Sequence, residues 1–441
     1  MKKDLIIIGA GPAGMAAGYF AKKKNLSFSI IESTADIGGN CRTLSMGDFK
    51  FDTGAHRFHD KNKMSTKIVK SLLKEDLKKV VVPSKIHWKN KTVDFPLQLP
   101  SIVKAIPFFV LFKIAFENFI KIFKLNYIAN NFKEYAYDRY GKTLSELFLI
   151  NYTEKLWGVD TENLSISITG NRLKHLNYLS ILKSFFSFGR KNEKHIEGSF
   201  LYPKNGFGSI FDAIFNKIGK ENIILKSPVN KIELMQNGCY KVFTKTGLEM
   251  DCDKIISTLP INIFMNILKP SPPIKLIRQA NNINFRSLRL SVLFLNKKHF
   301  SNYASVYFPE KKYPFTRIYE PKNRSSFLAP KDKTCIVVEV PCDSSDDIFN
   351  MNESRFNDQI KKIMIKNFLI NEKEIIDQVA YSMHYAYPQL LVDDSHIEEI
   401  LSFVKSIKGI EVLGRSANFQ YLHTHELLYS AEKCLQRCGF S

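Results

Sequence analysis

The sequence LIIIGAGPAG at residues 5–14 joins four apolar residues directly to a glycine-rich turn. An apolar run of this kind predicts a strand buried in a parallel sheet. The residues that follow, from Met15 to Lys24, have the composition of a helix. A strand, a turn with glycine at its first, third and sixth positions, and a helix together form the arrangement that binds the pyrophosphate of a dinucleotide.

Each part of the turn has a predicted role. The first glycine makes the tight turn, the second lets the backbone approach the pyrophosphate, and the third lets the helix pack closely on the strand. The start of the helix supplies free N–H groups and a partial positive charge for phosphate. The cofactor-binding residues predicted here are Gly9, Gly11, Pro12, Ala13 and Gly14.

A second predicted strand, Phe28-Ser29-Ile30-Ile31, ends in Glu32, 18 residues after Gly14. An acid at the end of this strand accepts hydrogen bonds from the ribose of the bound adenosine. The glycine turn alone would be weak support, since ordinary strand–helix turns also contain glycine. The order strand, glycines, helix, strand and acid predicts an α/β fold with a dinucleotide-binding domain.

Length and charge limit the other classes of protein. With 441 residues the chain is long enough for two joined domains, and 44% of its residues are apolar. The formal net charge of +21 attracts anions, but the basic residues are scattered, which disfavours nucleic-acid binding. An acidic, phosphate-bearing substrate is a better use of the charge, and a simple compositional bias toward lysine is the alternative.

Cysteine and histidine spacing predicts no metal site. The seven cysteines are irregularly spaced and form no CxxC or Cys/His pattern, so free thiols in a reducing cytoplasm are expected. His423 and His425 are alternate residues, whose side chains diverge on a helix. No signal peptide precedes the first strand, and a cytoplasmic location is the expectation.

The most lipid-like stretch runs from Ala105 to Ala129. Its longest unbroken apolar run, Ala105 to Phe112, is far shorter than the roughly 20 residues of a transmembrane helix. Polar residues then recur every three or four positions, which predicts an amphipathic helix. Packing of its apolar face into the core is the main expectation, and peripheral membrane contact is the alternative.

The remaining pattern predicts domains that are discontinuous in sequence. A helical, aromatic-rich region runs from about Pro100 to Phe188. Strand-like runs return after it, among them Leu288 to Leu295 and Thr334 to Val340, and Ser395 to Ile407 is predicted to be a helix. We predict an FAD-binding or NAD-binding Rossmann-like domain from residues 1–85, 196–275 and 405–441. A substrate domain of helices and β-sheet would comprise residues 86–195 and 276–404.

Several later segments indicate that the bound dinucleotide is FAD rather than NAD. Gly38-Gly39-Asn40-Cys41-Arg42-Thr43 resembles the GGxxRT segment of the amine-oxidase and protoporphyrinogen-oxidase superfamily, whose dinucleotide domain is of the glutathione-reductase type. The stretch from Phe200 to Gly208 resembles its YPxxGxG segment. The resemblance implies non-covalent FAD, with Arg42 near the pyrophosphate. Further cofactor-binding residues implied by it are Gly39, Val229, Gly414 and Arg415.

Other segments resemble the UDP-galactopyranose mutases within that superfamily. These are Asp52-Thr53-Gly54-Ala55-His56, Tyr152 to Gly158, Pro314 to Glu320, and Gly414 to Ala431. The resemblance puts His56 beside the flavin, Tyr421 near the phosphates, and Arg317 and a loosely aligned Arg172 on the sugar-nucleotide diphosphate. An ion pair between Arg317 and Glu320 is the structural alternative. His423 and His425 stand where the mutases often carry acids.

The implied function is a nucleotide-sugar isomerase that interconverts pyranose and furanose rings through N5 of reduced flavin, without net redox change. Such an enzyme would serve cell-surface polysaccharide biosynthesis and would need NAD(P)H or another reductant to prime its flavin. The alternative is an FAD-dependent oxidoreductase, an oxidase or desaturase like the protoporphyrinogen and amine oxidases. A flavoprotein whose substrate site has decayed is a third reading.

Overall fold

The structure, a computed structural model, describes residues 2–121, 127–169, 199–367 and 369–440. In these ranges the chain forms a mixed α/β fold with two large sheets, as the sequence predicts. Two small two-stranded sheets lie beside them, pairing Thr43–Met46 with Phe49–Asp52 and Leu77–Val81 with Ser199–Pro203.

The first large sheet is built around the predicted N-terminal strand. That strand, Lys3–Ile8, lies parallel to Phe28–Ile31 on one side and to Glu249–Ser257 on the other. Ile410–Val412 also pairs with Glu249–Ser257 in parallel. Across the sheet the order of strands is Leu268–Lys269, Val229–Leu234, Tyr240–Thr244, Glu249–Ser257, Lys3–Ile8, Phe28–Ile31 and Ile223–Ile224.

Both faces of this sheet are covered, which explains the unbroken apolar run. Leu5 and Ile7 pack into one core cluster and Ile6 and Ile8 into another, and all four are at most 1% exposed. Helix Pro12–Lys23 covers the first face together with the C-terminal helix Thr424–Arg437. Alternate side chains of a strand point to opposite faces, so a doubly covered strand needs apolar residues at every position.

The second large sheet is mostly antiparallel and carries the candidate substrate residues. Its order is Ile375–Pro388, Phe285–Leu295, Thr334–Cys342, Arg317–Tyr319, Ser305–Tyr307, Ser84–Trp88 and Lys91–Phe95. Predicted strands from Leu288 to Leu295 and from Thr334 to Val340 are confirmed with slightly wider bounds. The division into domains stays a prediction.

Helices occupy most of the predicted aromatic-rich region as far as it is described. They are Leu99–Ala105, Phe108–Lys121, Phe132–Tyr140, Lys142–Ser145 and Asn151–Trp157. The other helices of the described residues are Lys63–Leu73, Ser209–Ile218, Ile261–Ile267, Ile274–Asn281, Asp347–Asn350, Glu353–Lys366 and Ser395–Ser406. None of the helices in the described ranges is long and apolar enough to cross a membrane.

Candidate active site

The glycine turn leaves an open approach to the start of helix Pro12–Lys23. In the described part of the chain, no side chain caps this helix start. A Cβ atom added to Gly11 would meet only the Cα of Gly39, at an ordinary 4.0 Å, whereas one added to Gly14 would lie 1.8 Å from the carbonyl oxygen of Gly9. The fold itself therefore requires Gly14, while the space beside Gly11 is left for a ligand at the helix N-terminus.

Two distant segments pass close to this helix start. Gly39 adopts a φ of +51°, and a Cβ there would lie 3.1 Å from the Cα of Gly11. Gly414 adopts a φ of +114°, and a Cβ there would lie 3.0 Å from the Cβ of Ala13. Glycine is needed at both positions because the backbone is left-handed and the neighbouring chain is in contact. Three motifs that are far apart in sequence thus meet around one helix end.

Glu32 lies at the end of its strand, beside the turn, as predicted. Its Oε2 accepts a hydrogen bond from the amide of Ala10 at 2.7 Å, and its Oε1 accepts from the amide and the hydroxyl of Thr34, both at 2.9 Å. The carboxylate therefore braces the turn from within. Its predicted contact with a ribose stays a prediction.

Arg42 is held by two side chains of the protein. Its Nη1 contacts the carboxylate of Asp36 at 2.5 Å, and its Nη2 donates to the hydroxyl of Tyr381. Its Nε is buried and has no hydrogen-bond partner among the described residues. The guanidinium is thus held in one orientation, and its predicted phosphate contact would use a charge that is paired with Asp36.

Asp52 joins three of the sequence motifs. It is fully buried, and its carboxylate accepts hydrogen bonds from the hydroxyl of Tyr202 at 2.5 Å, the hydroxyl of Thr43 at 2.7 Å and the amide of Phe207 at 2.9 Å. Burial raises the pKa of this carboxyl, while the three hydrogen bonds oppose the shift. Asp52 therefore fixes the GGxxRT and YPxxGxG segments against the strand that leads to His56.

His56 is half-buried and is fixed by its neighbours. Its Nε2 lies 2.9 Å from the carbonyl oxygen of Asn40, so Nε2 carries the proton, and its ring stacks on Phe207 with centroids 5.1 Å apart. Burial lowers the pKa of His56 to about 3, and the positive charges of Arg324, Arg415 and Arg317 add to the effect. The imidazole is therefore neutral at neutral pH.

Arg317 forms an ion pair, but not with the residue the sequence suggested. Its Nε and Nη2 contact Oε2 of Glu339 at 2.7 Å and 2.6 Å. The expected alternative partner, Glu320, instead accepts hydrogen bonds from the amide of Ser301 and the hydroxyl of Thr334. Residues three apart in a strand point to opposite faces, whereas Arg317 and Glu339 are directly paired on neighbouring strands. The Glu320 alternative is therefore wrong.

Aromatic side chains from distant segments pack together around Tyr421 into one aromatic wall. The ring of Tyr421 lies 5.8 Å from that of Trp157 and 6.0 Å from that of Tyr387, measured between centroids. The guanidinium carbon of Arg415 lies 4.8 Å from the Tyr421 ring centroid, and its nitrogens donate to the carbonyl of Leu422. Burial raises the pKa of Tyr387 to about 12, so its hydroxyl keeps its proton.

A comparison with protein families matches residues 12–374 to the model described as flavin containing amine oxidoreductase. The chain belongs to this family. FAD is accordingly its cofactor, and the open helix start beside Gly11, with no Cβ in the cradle, fits the pyrophosphate of that cofactor.

Three curated relatives illustrate the range of the family. The UDP-galactopyranose mutase of Mycoplasma genitalium is 23% identical over 98% of this chain and 94% of its own length. The coproporphyrinogen III oxidase of Bacillus subtilis is 21% identical over 66% of each chain. The corticosteroid-binding protein of Candida albicans is 24% identical over 64% of this chain, and the match spans only 59% of that relative.

Solved structures share the fold of this flavoprotein. A crystal structure of reduced UDP-galactopyranose mutase superposes with a TM-score of 0.87 at 18% identity, covering 100% of this chain and 96% of that one. A putrescine oxidase superposes with a TM-score of 0.67 at 12% identity over the full length of both chains. At such identities the likeness shows the FAD-binding fold, which both a mutase and an oxidase possess.

The Tyr152–Gly158 segment of this flavoprotein contains a structural lysine. Lys155 donates to the carbonyl oxygens of Phe308, Glu310, Tyr313 and Phe315 at 2.5–3.1 Å. Burial lowers the pKa of its ammonium group to about 7. Lys155 thereby ties helix Asn151–Trp157 to the loop that precedes Arg317.

The two histidines near the C-terminus do not diverge as predicted. Their rings are parallel within 8° and their centroids lie 5.8 Å apart, because His423 precedes the helix as its N-cap while His425 lies in its first turn. Burial lowers the pKa of His425. The absence of a metal-binding cluster in the described ranges agrees with the predicted lack of a metal site but does not test it.

Two other predicted residues add little to the geometry. Val229 begins strand Val229–Leu234, and the neighbouring Ser227 donates from its amide to the carbonyl oxygen of Glu32, so this segment lies at the Glu32 end of the sheet. Arg172 lies outside the described residues. The roles of all predicted site residues stay predictions.

Sequence reasoning missed the residues that hold the predicted ones in position. Glu339 pairs with Arg317, Tyr381 contacts Arg42, and Arg324 donates from Nη1 to the carbonyl of His56 at 2.9 Å. Alternating tyrosines in residues 381–387 were a usable signal, because alternate residues of a strand share one face. Glu339 and Arg324 lie in segments without any motif.

Proposed function

We propose that this flavoenzyme is a nucleotide-sugar mutase that interconverts the pyranose and furanose forms of a sugar bound to a nucleoside diphosphate. The proposal is supported by the mutase-like segments around Arg317 and Tyr421. It is also supported by the relative from Mycoplasma genitalium, whose similarity extends along almost the whole of both chains.

The observation that carries the proposal is a single shared carboxylate. Oε2 of Glu339 binds Arg317, while Oε1 accepts a hydrogen bond from the amide of Ala55 at 2.9 Å. Ala55 is the neighbour of His56, the residue expected beside the flavin. A mutase must hold the departing diphosphate close to the flavin, and Glu339 joins these two parts of the site directly.

The side chains around Arg317 suit a diphosphate. Burial lowers the pKa of Arg317, but the charge of Glu339 together with Tyr307, Tyr387 and Tyr152 keeps the pKa above its ordinary value. Nε and Nη2 make the ion pair, so Nη1 remains outside it and is available to a phosphate oxygen. Burial raises the pKa of Tyr152, whose protonated hydroxyl is then a hydrogen-bond donor near the same guanidinium.

FAD, when bound in its reduced form, would supply the nucleophile that replaces the diphosphate at the anomeric carbon. The residues of this chain would orient the substrate around that reaction. Arg317 and Tyr421 would hold the phosphates, and the aromatic wall of Trp157 and Tyr387 would exclude water. Neutral His56, whose unprotonated Nδ1 lies 3.9 Å from the Sγ of Cys41, would add no charge beside the flavin.

An FAD-dependent oxidoreductase is the second candidate. It is favoured by the coproporphyrinogen III oxidase relative and by the loss of negative charge at His423 and His425, where the mutases often carry acids. Such an enzyme would consume one electron acceptor for each product formed.

The deciding experiment incubates the FAD-bound protein with UDP-galactose and other nucleotide sugars, after reduction with dithionite and in the oxidised state. We expect product of changed ring size only from the reduced enzyme, with many turnovers for each reduction. Chromatography of the sugar nucleotides measures the amount of isomerised product. Stoichiometric formation of hydrogen peroxide with an amine or porphyrinogen, and no isomerised sugar, would favour the oxidoreductase instead.

A further inference from the structure

Two polar side chains of helix Phe108–Lys121, Glu117 and Asn118, face the inside of the protein. Glu117 accepts hydrogen bonds from the hydroxyl and the amide of Thr143 at 2.6 Å and 2.8 Å. Asn118 is 1% exposed and donates to the carbonyl oxygens of Ile114 and Tyr140. Of the polar residues that predicted a solvent-facing side, Glu117 is bound within the protein and Lys121 donates to the carbonyl oxygens of Tyr137 and Asp138, while Lys113 is exposed.

Four phenylalanines of the same helix point outward, while Val110, Leu111 and Ile114 pack against a core cluster. Phe108, Phe109, Phe112 and Phe116, here called the phenylalanine face, are 82%, 74%, 67% and 55% exposed. Val103, on the preceding helix, is 49% exposed. These four residues follow one another at spacings of one, three and four positions. At about 100° per residue they lie within about 100° of one another around the helix, so they form a continuous patch. The expectation that the apolar residues of this helix pack into the core is confirmed for Val110, Leu111 and Ile114 and is wrong for the phenylalanine face.

An exposed apolar patch of this kind marks a surface that binds a partner, either a protein or a membrane. Each exposed phenylalanine leaves a large apolar area in water, which costs free energy unless a partner removes it. The inward polar contacts fix the rotation of the helix, so the phenylalanines cannot turn into the protein. Their exposure is thus built into the packing of this part of the fold.

Charge selects the partner. Lys104 and Lys113 are exposed at the patch, and the single acidic residue of helices Leu99–Ala105 and Phe108–Lys121, Glu117, is engaged with Thr143. The chain as a whole carries a formal charge of +21, so two copies would repel each other across this surface. An anionic lipid surface instead attracts both the lysines and the phenylalanines.

We propose that the phenylalanine face binds the surface of an anionic lipid bilayer, with the helix lying in the plane of the interface. A helix of 14 residues is about 21 Å long, too short to cross the hydrocarbon core. The phenylalanines enter the headgroup and acyl boundary while Lys104 and Lys113 contact lipid phosphates. This surface is separate from the FAD cradle, and the inference is independent of which reaction the enzyme catalyses.

The test is co-sedimentation of the FAD-bound protein with vesicles. We expect binding to vesicles of phosphatidylcholine and phosphatidylglycerol in equal parts, and much weaker binding to phosphatidylcholine alone. The variant Phe109→Ser/Phe112→Ser/Phe116→Ser should lose this binding. Lys104→Gln/Lys113→Gln should weaken it by about fivefold for each lysine.

A matched control removes exposed apolar residues elsewhere. Ile274→Ser/Val392→Ser/Phe327→Ser alters side chains that are 64%, 49% and 58% exposed, and it should bind the anionic vesicles like the wild type. Thermal melts and flavin absorbance verify that every variant is folded. Equal binding by both triple variants, or no binding of the wild type, would overturn the proposal. A wild-type dimer that the phenylalanine variant dissolves, without vesicle binding, would also overturn it and identify a second copy as the partner.

Discussion

The FAD turn and the Arg317 region both hold charged groups in position. They differ in how far apart along the chain the contacting residues lie. In the turn, Gly14 packs against Gly9, and the amide of Ala10 binds Glu32, 22 residues away. Around Arg317, Glu339 also binds the amide of Ala55, which is 284 residues away in sequence. The turn is a local structure, whereas the substrate region is assembled only by the complete fold.

This difference explains why one region is recognisable and the other is not. A local motif constrains residue types at fixed spacing, because the tight turn, the approach to the pyrophosphate and the helix–strand packing are needed at set positions along the turn. In a site assembled from distant strands, only the two residues of each contacting pair must match each other. The number of residues between them along the chain can vary. Arg317 could therefore be singled out by resemblance, but its partner could not.

The largest expected effect separates two glycines within the turn. Gly14→Val should unfold the protein, or cost about 3 kcal/mol or more, because its Cβ would overlap the carbonyl oxygen of Gly9. Gly11→Val should leave the melting temperature of the FAD-free protein unchanged but abolish FAD binding. Differential scanning fluorimetry and flavin absorbance measure the two outcomes. Normal FAD content in Gly11→Val would show that the space beside Gly11 is not the pyrophosphate cradle.

A smaller effect is expected in the Arg317 region. Arg317→Ala should keep normal FAD content but weaken UDP binding by about 2–5 kcal/mol, because an aromatic-walled cleft would lose its guanidinium fork. Arg317→Lys should restore only part of the affinity. Calorimetric titration of UDP into the FAD-bound variants measures this effect.

The control for Arg317 addresses the buried carboxylate that the substitution leaves behind. Arg317→Ala alone strands Glu339, which is 2% exposed, and should lower stability. The double variant Arg317→Ala/Glu339→Gln should regain stability while UDP binding stays weak. If the double variant bound UDP as well as the wild type, Arg317 would be a structural residue only.

The smallest expected effect concerns His56 and pH. Its pKa in the folded protein is lowered to about 3, by burial first and by three arginines second. A histidine in the unfolded chain takes up a proton near pH 6.5, so the unfolded state binds more protons between these values. Stability should therefore fall as the pH falls from about 6.5 toward 3, by less than about 1.4 kcal/mol for each pH unit.

Urea unfolding of the FAD-free protein at several pH values in this window measures the effect. His56→Gln lacks the titrating group, so its stability should fall less steeply than that of the wild type. Equal slopes for the two proteins would mean that the ring of His56 is accessible to water and titrates normally.

Prediction from sequence was most accurate where periodicity and apolar content decide the structure. Strand Phe285–Leu295, strand Thr334–Cys342 and helix Ser395–Ser406 were expected within a few residues of their observed bounds. It was least accurate for helix Phe108–Lys121, where Val110, Leu111 and Ile114 pack on the core as expected but four phenylalanines face outward and Glu117 faces inward. Periodicity shows that a helix has two faces, and only packing decides which of them faces inward.

The sequence by itself determined the FAD-binding unit, because the first parallel strand, the glycine turn and Glu32 form a local structure whose residue types are fixed by backbone geometry. It also determined the α/β class, through apolar strands that must be covered on both faces. The tertiary structure alone decided that Glu339 pairs with Arg317, that Asp52 joins three motifs, and that four phenylalanines face outward. These contacts depend on which strands and helices become neighbours in the fold. The spacing of residues within a short segment does not predict those neighbours.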